Sequence, residues 1–274
     1  MSRVAFPTPY AGSYYPIYNS GVNQYIPPTS AMPLDLVSAL FVAFAHAYPQ
    51  GQGAVLQLEQ GQPEEPQRLS GLVSFARAAN PQIKILISLG WGHNDWSYIS
   101  QDVQTGANLF VPSVIDLIRQ YGLDGFDIDD EQINGSSGSI SQADFNQVIA
   151  SLRGALNTAG AQDGKPYFLT ITPAFGRGQV DKDNMANFDL INCQNYGGTS
   201  PSDFIPLGYP RGQIAWGIDT EGCSPDFPSS ADISGLAGIF NWTLSADSAC
   251  GNFQYTRQIA ETVGYSSEAE FAAK

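Results

Sequence analysis

The sequence is poor in charged residues and especially in basic ones. Only 12 of its 274 residues are Lys or Arg, against 26 Asp or Glu, and the formal net charge is −14. A negative surface repels nucleic acid and anionic lipid, so neither is expected as a partner and an uncharged ligand fits better. The sequence contains no run of about 18 apolar residues, which argues against a membrane span.

Histidine and cysteine are also scarce. His46 and His93 are the two histidines, and the absence of CxxC and HxxxH spacings excludes a histidine-rich metal site but not a carboxylate site. Three cysteines allow at most one bridge within the chain. Cys223 and Cys250 lie in loop-like segments and could pair, whereas Cys193 lies in an apolar run and is expected to be a buried thiol.

The first ten residues, MSRVAFPTPY, lack the charged region followed by an apolar region that marks a secretory signal. Either the protein is not exported by that route or the signal peptide is missing from this chain. The low lysine content and a surface rich in uncharged polar and aromatic residues favour life outside the cell. We therefore expect a secreted protein whose signal peptide is absent from this chain.

Short apolar runs recur along the chain and predict strands separated by helices or long loops. Eight segments are strand candidates, namely residues 3–6, 37–48, 83–90, 124–132, 167–174, 188–198, 213–219 and 235–244. The near-continuous Ile/Leu run in the third candidate suits a strand that is covered on both faces. Apolar residues at helical spacing predict helices within residues 108–122 and 141–156.

Strands that alternate with crossover segments are typical of a parallel sheet. Eight such units in a chain of 274 residues predict a single α/β domain over residues 1–274, a (β/α)8 TIM barrel without a large insertion domain. A doubly wound open sheet is the alternative. Pro, Gly and Ser are concentrated at residues 10–33, 51–66 and 199–212, which are expected to be loops at the barrel rim.

The stretch DGFDIDDEQ, residues 124–132, places several carboxylates in a segment that has the apolar spacing of a strand. Side chains alternate faces along a strand, so Asp127, Asp129 and Glu131 share one face while Phe126 and Ile128 share the other. In a barrel the acidic face points into the lumen, with Glu131 at the C-terminal rim where active sites lie. Carboxylates this close repel one another when charged, so ionising all of them costs free energy. One that stays protonated near neutral pH can act as a general acid.

Two other interpretations of this acidic row stay open. The row could be a solvated edge strand or a loop, although Leu123, Phe126 and Ile128 demand burial. The same carboxylates could also hold Mg²⁺ or Ca²⁺. Asp130 lies on the opposite face, where an unpaired charge is costly, so we expect it to bind Arg153 or a backbone amide.

The motif DGFDIDDE resembles the DGxDxDxE signature of glycoside hydrolase family 18, the chitinases and endo-β-N-acetylglucosaminidases. The segments LFVAFAHAY, IKILISLGWG, YFLTITPA, FDLINCQNYGG and GIFNWTLSAD look like the second, third, fifth, sixth and eighth strands of that family. The resemblance implies a barrel enzyme that cleaves β-1,4 bonds next to N-acetylglucosamine, in chitin oligomers or in the N-glycan chitobiose core. It implies a monomer without a metal or cofactor. Asp130 adds a second Asp before the Glu, and this variant of the motif is similar to that of bacterial enzymes that cut the N-glycan core.

The resemblance further implies a retaining reaction in which the acetamide of the substrate is the nucleophile. Glu131 would protonate the leaving oxygen and later activate water. Asp129 would stabilise the oxazolinium ion, and Asp127 would share a proton with Asp129. Tyr196 would hold the acetamide oxygen, and Trp242 would form an apolar floor under the sugar. Three further residues are candidates for substrate binding: Gln194, Asn195 and Trp91.

The sequence departs from the family pattern in two places. The third strand ends SLGWG instead of SxGG, and Trp91, His93 and Trp96 after it either line the groove or pack a loop. The segment between GID and GLAG is too short for the α+β insertion of many processive chitinases, so we expect a shallow, endo-acting groove. Some barrels of this kind are catalytically silent lectins or inhibitors. They usually lose the acid Glu or the Asp two before it, and both are retained here.

Overall fold

A computed structural model describes residues 5–19, 23–60 and 62–266 of the chain. Its strands are β1 (Tyr10–Pro16), β2 (Ala39–Gln50), β3 (Gly53–Leu58), β4 (Lys84–Leu89), β5 (Gly125–Asp130), β6 (Phe168–Pro173), β7 (Leu190–Cys193), β8 (Ile214–Asp219) and β9 (Gly238–Trp242). All except β3 are parallel, and β1 pairs with both β9 and β2. These eight parallel strands therefore close into a barrel, and the predicted single (β/α)8 fold is confirmed.

The α-helices lie on the outside of the barrel. They are α1 (Glu65–Ala79), α2 (Asp95–Thr105), α3 (Phe110–Tyr121), α4 (Gln142–Asp163), α5 (Leu244–Ala249) and α6 (Gln254–Val263). Short 3₁₀ segments lie at Leu34–Leu36, Met185–Asn187, Asn195–Gly197, Pro201–Asp203, Ile205–Leu207 and Arg211–Gln213. In the part of the chain that the structure describes, no helix is long and apolar enough to cross a membrane.

Both predicted helices are present, as α3 and α4. Helix α4 begins where the Ser141 hydroxyl accepts a hydrogen bond from the Asp144 N–H at 3.1 Å, which satisfies one of the free amides of its first turn. It ends at Gly164, whose φ of 71° is in the left-handed region that glycine adopts without steric cost. Residues 220–237, which connect β8 to β9, contain neither strand nor helix, so no insertion domain extends from this position.

The first barrel strand lies elsewhere than predicted. Of the candidate segment 3–6, residues 3 and 4 lie outside the described residues, and Ala5 and Phe6 are not in a strand. Strand β1 is Tyr10–Pro16, in a stretch expected to be a loop, and all seven of its residues are buried. Tyrosine can occupy such a position because its ring packs in the core while its hydroxyl finds a polar partner.

A second correction concerns residues 51–66, which were also expected to be a loop. Residues 53–58 form β3, which pairs with β2 in an antiparallel hairpin. The turn passes through Gly51, whose φ is 60°. The hairpin extends beyond the barrel end and brings Glu59 to the rim.

Two apolar layers enclose the barrel wall. The larger layer lies between the strands and the helices and contains most of the buried Ile, Leu and Val residues. The smaller layer fills the lumen with aromatic rings. Phe6 makes edge contacts with Tyr10 and Phe168, with ring centroids 5.7 and 4.9 Å apart. These rings fill the lower lumen, so the open space lies at the C-terminal end of the strands.

The cysteines form the one bridge that the sequence allowed, and the third is a buried thiol as expected. Cys223 and Cys250 form a disulfide whose Cα atoms are 5.1 Å apart. Cys193 on β7 is a buried free thiol. The bridge ties the β8–β9 connection to the residue that follows α5.

Candidate active site

The acidic row lies on β5, between β4 and β6. Asp127 is level with Ser88 on β4 and with Thr170 on β6, and Asp129 is level with Thr172. Asp127 and Asp129 are buried in the lumen, and Glu131 follows the strand at the rim, half-buried. The sequence prediction that these residues share one face is confirmed by this register.

Gly90, at the end of β4, makes room for Asp129. A Cβ at this position would lie 2.6 Å from the Cβ of Asp129, closer than side-chain atoms approach. Only glycine therefore allows the carboxylate to occupy its place in the lumen. The adjacent Trp91 has a φ of 50° and is 56% exposed at the rim.

Asp127 is held by hydroxyl groups. Its Oδ2 accepts hydrogen bonds from Tyr14 and Ser88, both at 2.7 Å. Its Oδ1 accepts from Thr170 at 2.6 Å and from Thr172 at 3.2 Å. Complete burial raises the pKa of Asp127, and these four hydrogen bonds oppose the rise by stabilising the charged form. The donors occupy oxygens that a metal ion would need as ligands.

Asp129 and Glu131 share one amide donor. Gln194 Nε2 donates to Asp129 Oδ1 at 2.9 Å and to Glu131 Oε1 at 3.2 Å. Burial raises the pKa of Asp129 well above its usual range, and the charges of Glu131 and then Asp127 raise it further. Burial also raises the pKa of Glu131, against the hydrogen bonds from Gln194 and Asp129. The pair therefore holds a proton at pH values where isolated carboxyls are ionised.

Asp130 faces the opposite side and finds a backbone amide. Its Oδ2 accepts from the Gln179 N–H at 2.6 Å, which is one of the two partners expected from the sequence. The other candidate, Arg153, binds Asp189 at 2.7 Å instead. Burial nevertheless raises the pKa of Asp130 to about 7. Gly178 is needed here because a Cβ would lie 2.0 Å from the Asp130 carboxylate.

A pocket of about 770 Å³ opens above the acidic row. Its walls come from the loops after several barrel strands. The lining residues are Tyr18, Asn19, Asn23, Phe44, His46, Glu59, Gln62, Trp91, Gly92, His93, Asp129, Glu131, Ala174, Phe175, Gln194, Tyr196, Gly197, Asp219, Glu221 and Trp242. Six of the eight site residues predicted from the sequence are among them: Glu131, Asp129, Tyr196, Trp242, Gln194 and Trp91. Asp127 lies directly beneath, in the lumen.

Aromatic rings form one wall of the pocket. Trp242 stacks on Phe44 with ring centroids 6.0 Å apart and meets Tyr14 edge-on at 5.3 Å. Tyr18 stacks on the other side of this group, 6.1 Å from Phe44. Tyr196 is 39% exposed as a whole, but desolvation of its hydroxyl, and then the nearby carboxylates with Asp129 first among them, raise its pKa well above the usual range. The phenol of Tyr196 is therefore protonated and available as a hydrogen-bond donor.

The two histidines stack on each other at the pocket edge. The ring centroids of His46 and His93 are 3.7 Å apart, and His46 Nδ1 lies 3.2 Å from Asp95 Oδ2. His93 Nε2 lies 3.8 Å from Glu59 Oε1. Burial and the charge of His46 lower the pKa of His93, which favours a neutral imidazole. His93 and Trp91 both line the pocket, which is the first of the two interpretations considered for them from the sequence.

Two candidates lie away from the pocket. Asn195 is not among the lining residues, and its Oδ1 accepts from the Gly217 N–H at 3.3 Å. Trp96 is fully buried and packs against Phe145, with ring centroids 5.2 Å apart. Trp96 therefore packs between α2 and α4 in the core and does not line the groove.

Several pocket residues were not singled out from the sequence. Tyr18 lies in a stretch expected to be a loop, and Asp219 and Glu221 lie at the end of β8. Their signal was available, because residues at the C-terminal ends of barrel strands form the active site of this fold. Among the described residues, no group of three or more His, Cys, Asp or Glu side chains is arranged to hold a metal ion.

The barrel, the carboxylate row and the aromatic pocket define a class of protein: a (β/α)8 barrel with a candidate acid–base site at the C-terminal end of its strands. Comparison with known families identifies which one. The model of the family "Glycosyl hydrolases family 18" matches residues 12–210, more than half of the chain. The chain therefore belongs to the glycosyl hydrolases of family 18.

Similar proteins agree with this membership. The chain is 25% identical over 239 residues to an endochitinase of Brugia malayi, covering 84% of this chain and 43% of that protein. It thus spans less than half the length of that relative. An N-acetylglucosaminidase from Paenibacillus barengoltzii has a similar structure, with a TM-score of 0.69 at 16% identity over 92% of this chain and 99% of the other. A mutant class V chitinase from Nicotiana tobaccum in complex with NAG4 has a TM-score of 0.68 at 18% identity, over 93% of this chain and 98% of the other.

Proposed function

We propose that the protein is an endo-acting glycoside hydrolase that cleaves β-1,4 bonds next to N-acetylglucosamine by substrate-assisted, retaining catalysis. One observation carries the proposal: Asp129 and Glu131 lie at the base of the pocket, bound to the same amide of Gln194. A proton held by this pair can be delivered to a bond that lies in the pocket. The aromatic wall beside it offers an apolar surface to a sugar ring.

In the first step Glu131 gives its proton to the glycosidic oxygen, and the bond from that oxygen to the anomeric carbon breaks. The oxygen of the substrate's acetamide forms a bond to the anomeric carbon, which produces a cyclic oxazolinium ion. Asp129 accepts a hydrogen bond from the acetamide N–H and stabilises the positive charge. The raised pKa of Glu131 supports its role as the acid, because it extends the protonated form towards neutral pH.

In the second step water attacks the anomeric carbon, and the bond from that carbon to the acetamide oxygen breaks. The water gives a proton to Glu131, which restores both the acetamide and the acid. The family resemblance implied that Asp127 shares a proton with Asp129, but hydroxyl donors occupy both Asp127 oxygens. We therefore assign Asp127 to act from below through its charge, which adjusts the proton affinity of Asp129. Tyr196 donates a hydrogen bond to the acetamide oxygen, and Trp242 lies under the sugar ring as an apolar floor. Neither step requires a metal ion or a cofactor.

We propose N-acetylglucosamine oligosaccharides as the substrate class, with chitin oligomers and the N-glycan chitobiose core as the two candidates. The relative from Brugia malayi is an endochitinase, and the tobacco chitinase structure is a complex with NAG4, which supports the chitin candidate. The missing insertion between β8 and β9 supports an open groove and endo action. We also propose that residues 1–274 act as one catalytic domain, in a monomer that works outside the cell.

Product analysis by mass spectrometry tests this function. The protein is incubated with chitin oligomers in one reaction and with a high-mannose glycoprotein in another, and Glu131→Gln is the control in both. Shorter N-acetylglucosamine oligomers, or a glycan released between the two core sugars, are the expected products. Binding of chitin oligomers without any cleavage would contradict the hydrolase and support a carbohydrate-binding barrel instead.

A further inference from the structure

We propose that Glu221 is a positioning residue, which fixes the orientation of the Trp242 indole through a hydrogen bond to its N–H. This inference rests on the proposed function, because Trp242 is assigned there as the floor under the sugar. It adds a residue that none of the predicted roles includes. Glu221 lies two residues beyond the end of β8, and Trp242 is the last residue of β9.

The central contact is direct. Trp242 Nε1 donates a hydrogen bond to Glu221 Oε1 at 2.9 Å. The same oxygen accepts a hydrogen bond from the side-chain amide of Asn23, which belongs to the loop after β1. Asn23 Oδ1 in turn accepts from the Thr243 hydroxyl at 2.9 Å. Glu221 therefore belongs to a chain of hydrogen bonds that runs from the Trp242 indole through Glu221 and Asn23. The chain ends at Thr243, the residue that follows Trp242 in the sequence.

The backbone of Trp242 is held by the residue next to Glu221. The Thr220 N–H donates to the Trp242 carbonyl at 2.8 Å, and the Thr220 hydroxyl reaches the same carbonyl at 2.9 Å. The Thr220 hydroxyl also lies 3.1 Å from the carbonyl of Thr243. Residues 220 and 221 thus fix Trp242 at two places, the main-chain carbonyl and the indole nitrogen.

A covalent link keeps these two segments together. Cys223, two residues after Glu221, is bonded to Cys250 at the end of α5. Helix α5 begins at Leu244, two residues after Trp242. The disulfide therefore joins the segment that carries Glu221 to the segment that carries Trp242, and it limits how far the two can separate.

The indole N–H contact has a role that ring packing cannot fill. Phe44 and Tyr14 contact the Trp242 ring through apolar atoms, and such contacts allow a ring to slide or rotate in its plane. A hydrogen bond is directional, so its acceptor oxygen must lie close to the line of the indole N–H. The bond to Glu221 therefore selects one rotamer of the ring, with one face towards the pocket.

The first test observes the indole directly, in the protein without ligand. The chain has four tryptophans, and a Trp242→Phe spectrum identifies the Trp242 indole N–H among the four signals of a ¹⁵N-tryptophan sample. In Glu221→Ala this N–H should exchange with water faster, because its acceptor is gone. Glu221→Gln keeps an acceptor oxygen and should preserve the signal, as should Glu59→Ala, which removes a different pocket carboxylate. An unchanged signal in Glu221→Ala would overturn the proposal.

The second test measures hydrolysis of a chitin oligomer. We expect kcat/KM to fall about tenfold in Glu221→Ala and to stay within about threefold of wild type in Glu221→Gln. Adding Glu221→Ala to Trp242→Phe should cost little more, because the N–H donor is already lost. Equal losses in the Ala and Gln variants would show that the charge of Glu221 matters instead, and additive losses would show an independent sugar contact. Either result would overturn the positioning role.

The two tests separate this inference from the function on which it rests. A wild-type protein that cleaves no N-acetylglucosamine oligomer would defeat the proposed function. The indole signal would then still decide whether Glu221 holds Trp242, since it requires no substrate.

Discussion

The side-chain amide of Gln194 donates to Asp129 at 2.9 Å and to Glu131 at 3.2 Å, so one residue of β7's C-terminal end binds both carboxyls of the site. The amide also lies 3.1 Å from the carbonyl of Thr172. Its hydrogen bonds lower the pKa of Asp129 and of Glu131, in opposition to burial, which raises both. Gln194 thus sets how strongly the pair holds its proton.

Gln194→Leu should move the alkaline limb of the pH–kcat/KM profile to higher pH. Loss of the amide raises the pKa of Glu131 further, and activity that depends on protonated Glu131 is lost only when the pH rises through that pKa. Measured profiles between pH 4 and 10 would show the shift. Gln62→Leu, another glutamine that lines the pocket, is the matched control. A limb that moves to lower pH would contradict the assigned acid.

Glu131→Gln should remove most activity and leave the fold intact. A general acid typically contributes about 10²–10⁴-fold to the rate, and glutamine cannot supply the proton. Turnover of a chromogenic chitobioside gives the rate, and circular dichroism checks the fold. Retention of more than about half of the rate would mean that another group is the acid.

Asp129→Asn should lower kcat more than it raises KM. Asp129 is assigned to stabilise positive charge that develops only as the bond breaks, so its loss should weaken the transition state and not the ground state. Steady-state kinetics on chitin oligomers separate the two constants. An unchanged kcat with a raised KM would reassign Asp129 to plain substrate binding.

Oligosaccharides without a 2-acetamido group should not be cleaved. The proposed nucleophile belongs to the substrate, so a glucose oligomer with the same linkage lacks the attacking oxygen. Thiazoline analogues of the oxazolinium ion should inhibit, because they resemble the charged species that Asp129 and Tyr196 are assigned to hold. Comparable cleavage of cellulose and chitin oligomers, without thiazoline inhibition, would rule out substrate assistance.

Glu65→Gln should flatten the pH dependence of stability. Glu65 at the start of α1 is buried, and burial raises its pKa to about 7. The folded state therefore binds more protons than the unfolded state between about pH 4.5 and pH 7, so the free energy of unfolding falls as the pH rises through that window. Between pH 5 and pH 7 the Glu65→Gln variant should lose about 2 kcal/mol less stability than the wild type.

Urea denaturation at pH 5 and at pH 7 measures this effect. The exposed neighbour Glu64 provides the control, as Glu64→Gln. Asp130, whose pKa is also raised to about 7, should leave a residual slope of the same sign in the Glu65 variant. A wild-type protein that becomes more stable between pH 5 and pH 7 would contradict the raised pKa values of Glu65 and Asp130.

The sequence by itself determined the barrel class and the strand of the acidic row. Both depend on local patterns: apolar runs at strand spacing, helical spacing in α3 and α4, and alternation of faces along β5. The alternation alone places Asp127 and Asp129 in the lumen and Asp130 outside it. The motif around Glu131 resembled the family signature, and the family match confirmed that resemblance.

Only the tertiary structure decided which distant groups meet. Strand β1 was missed because the Pro, Gly and Ser residues around its tyrosines are typical of loops. Its place in the barrel depends on distant contacts, such as that of the Tyr14 hydroxyl with Asp127, 113 positions away in the chain. For Asp130 the sequence indicated Arg153 or a backbone amide, but not that the partner is the amide of Gln179. It indicated neither the turn of Asn195 away from the pocket nor the double contact of Gln194. The physical reason is that a side chain's period along its own strand fixes its face, whereas its hydrogen-bond partner depends on the register and loops of neighbouring strands.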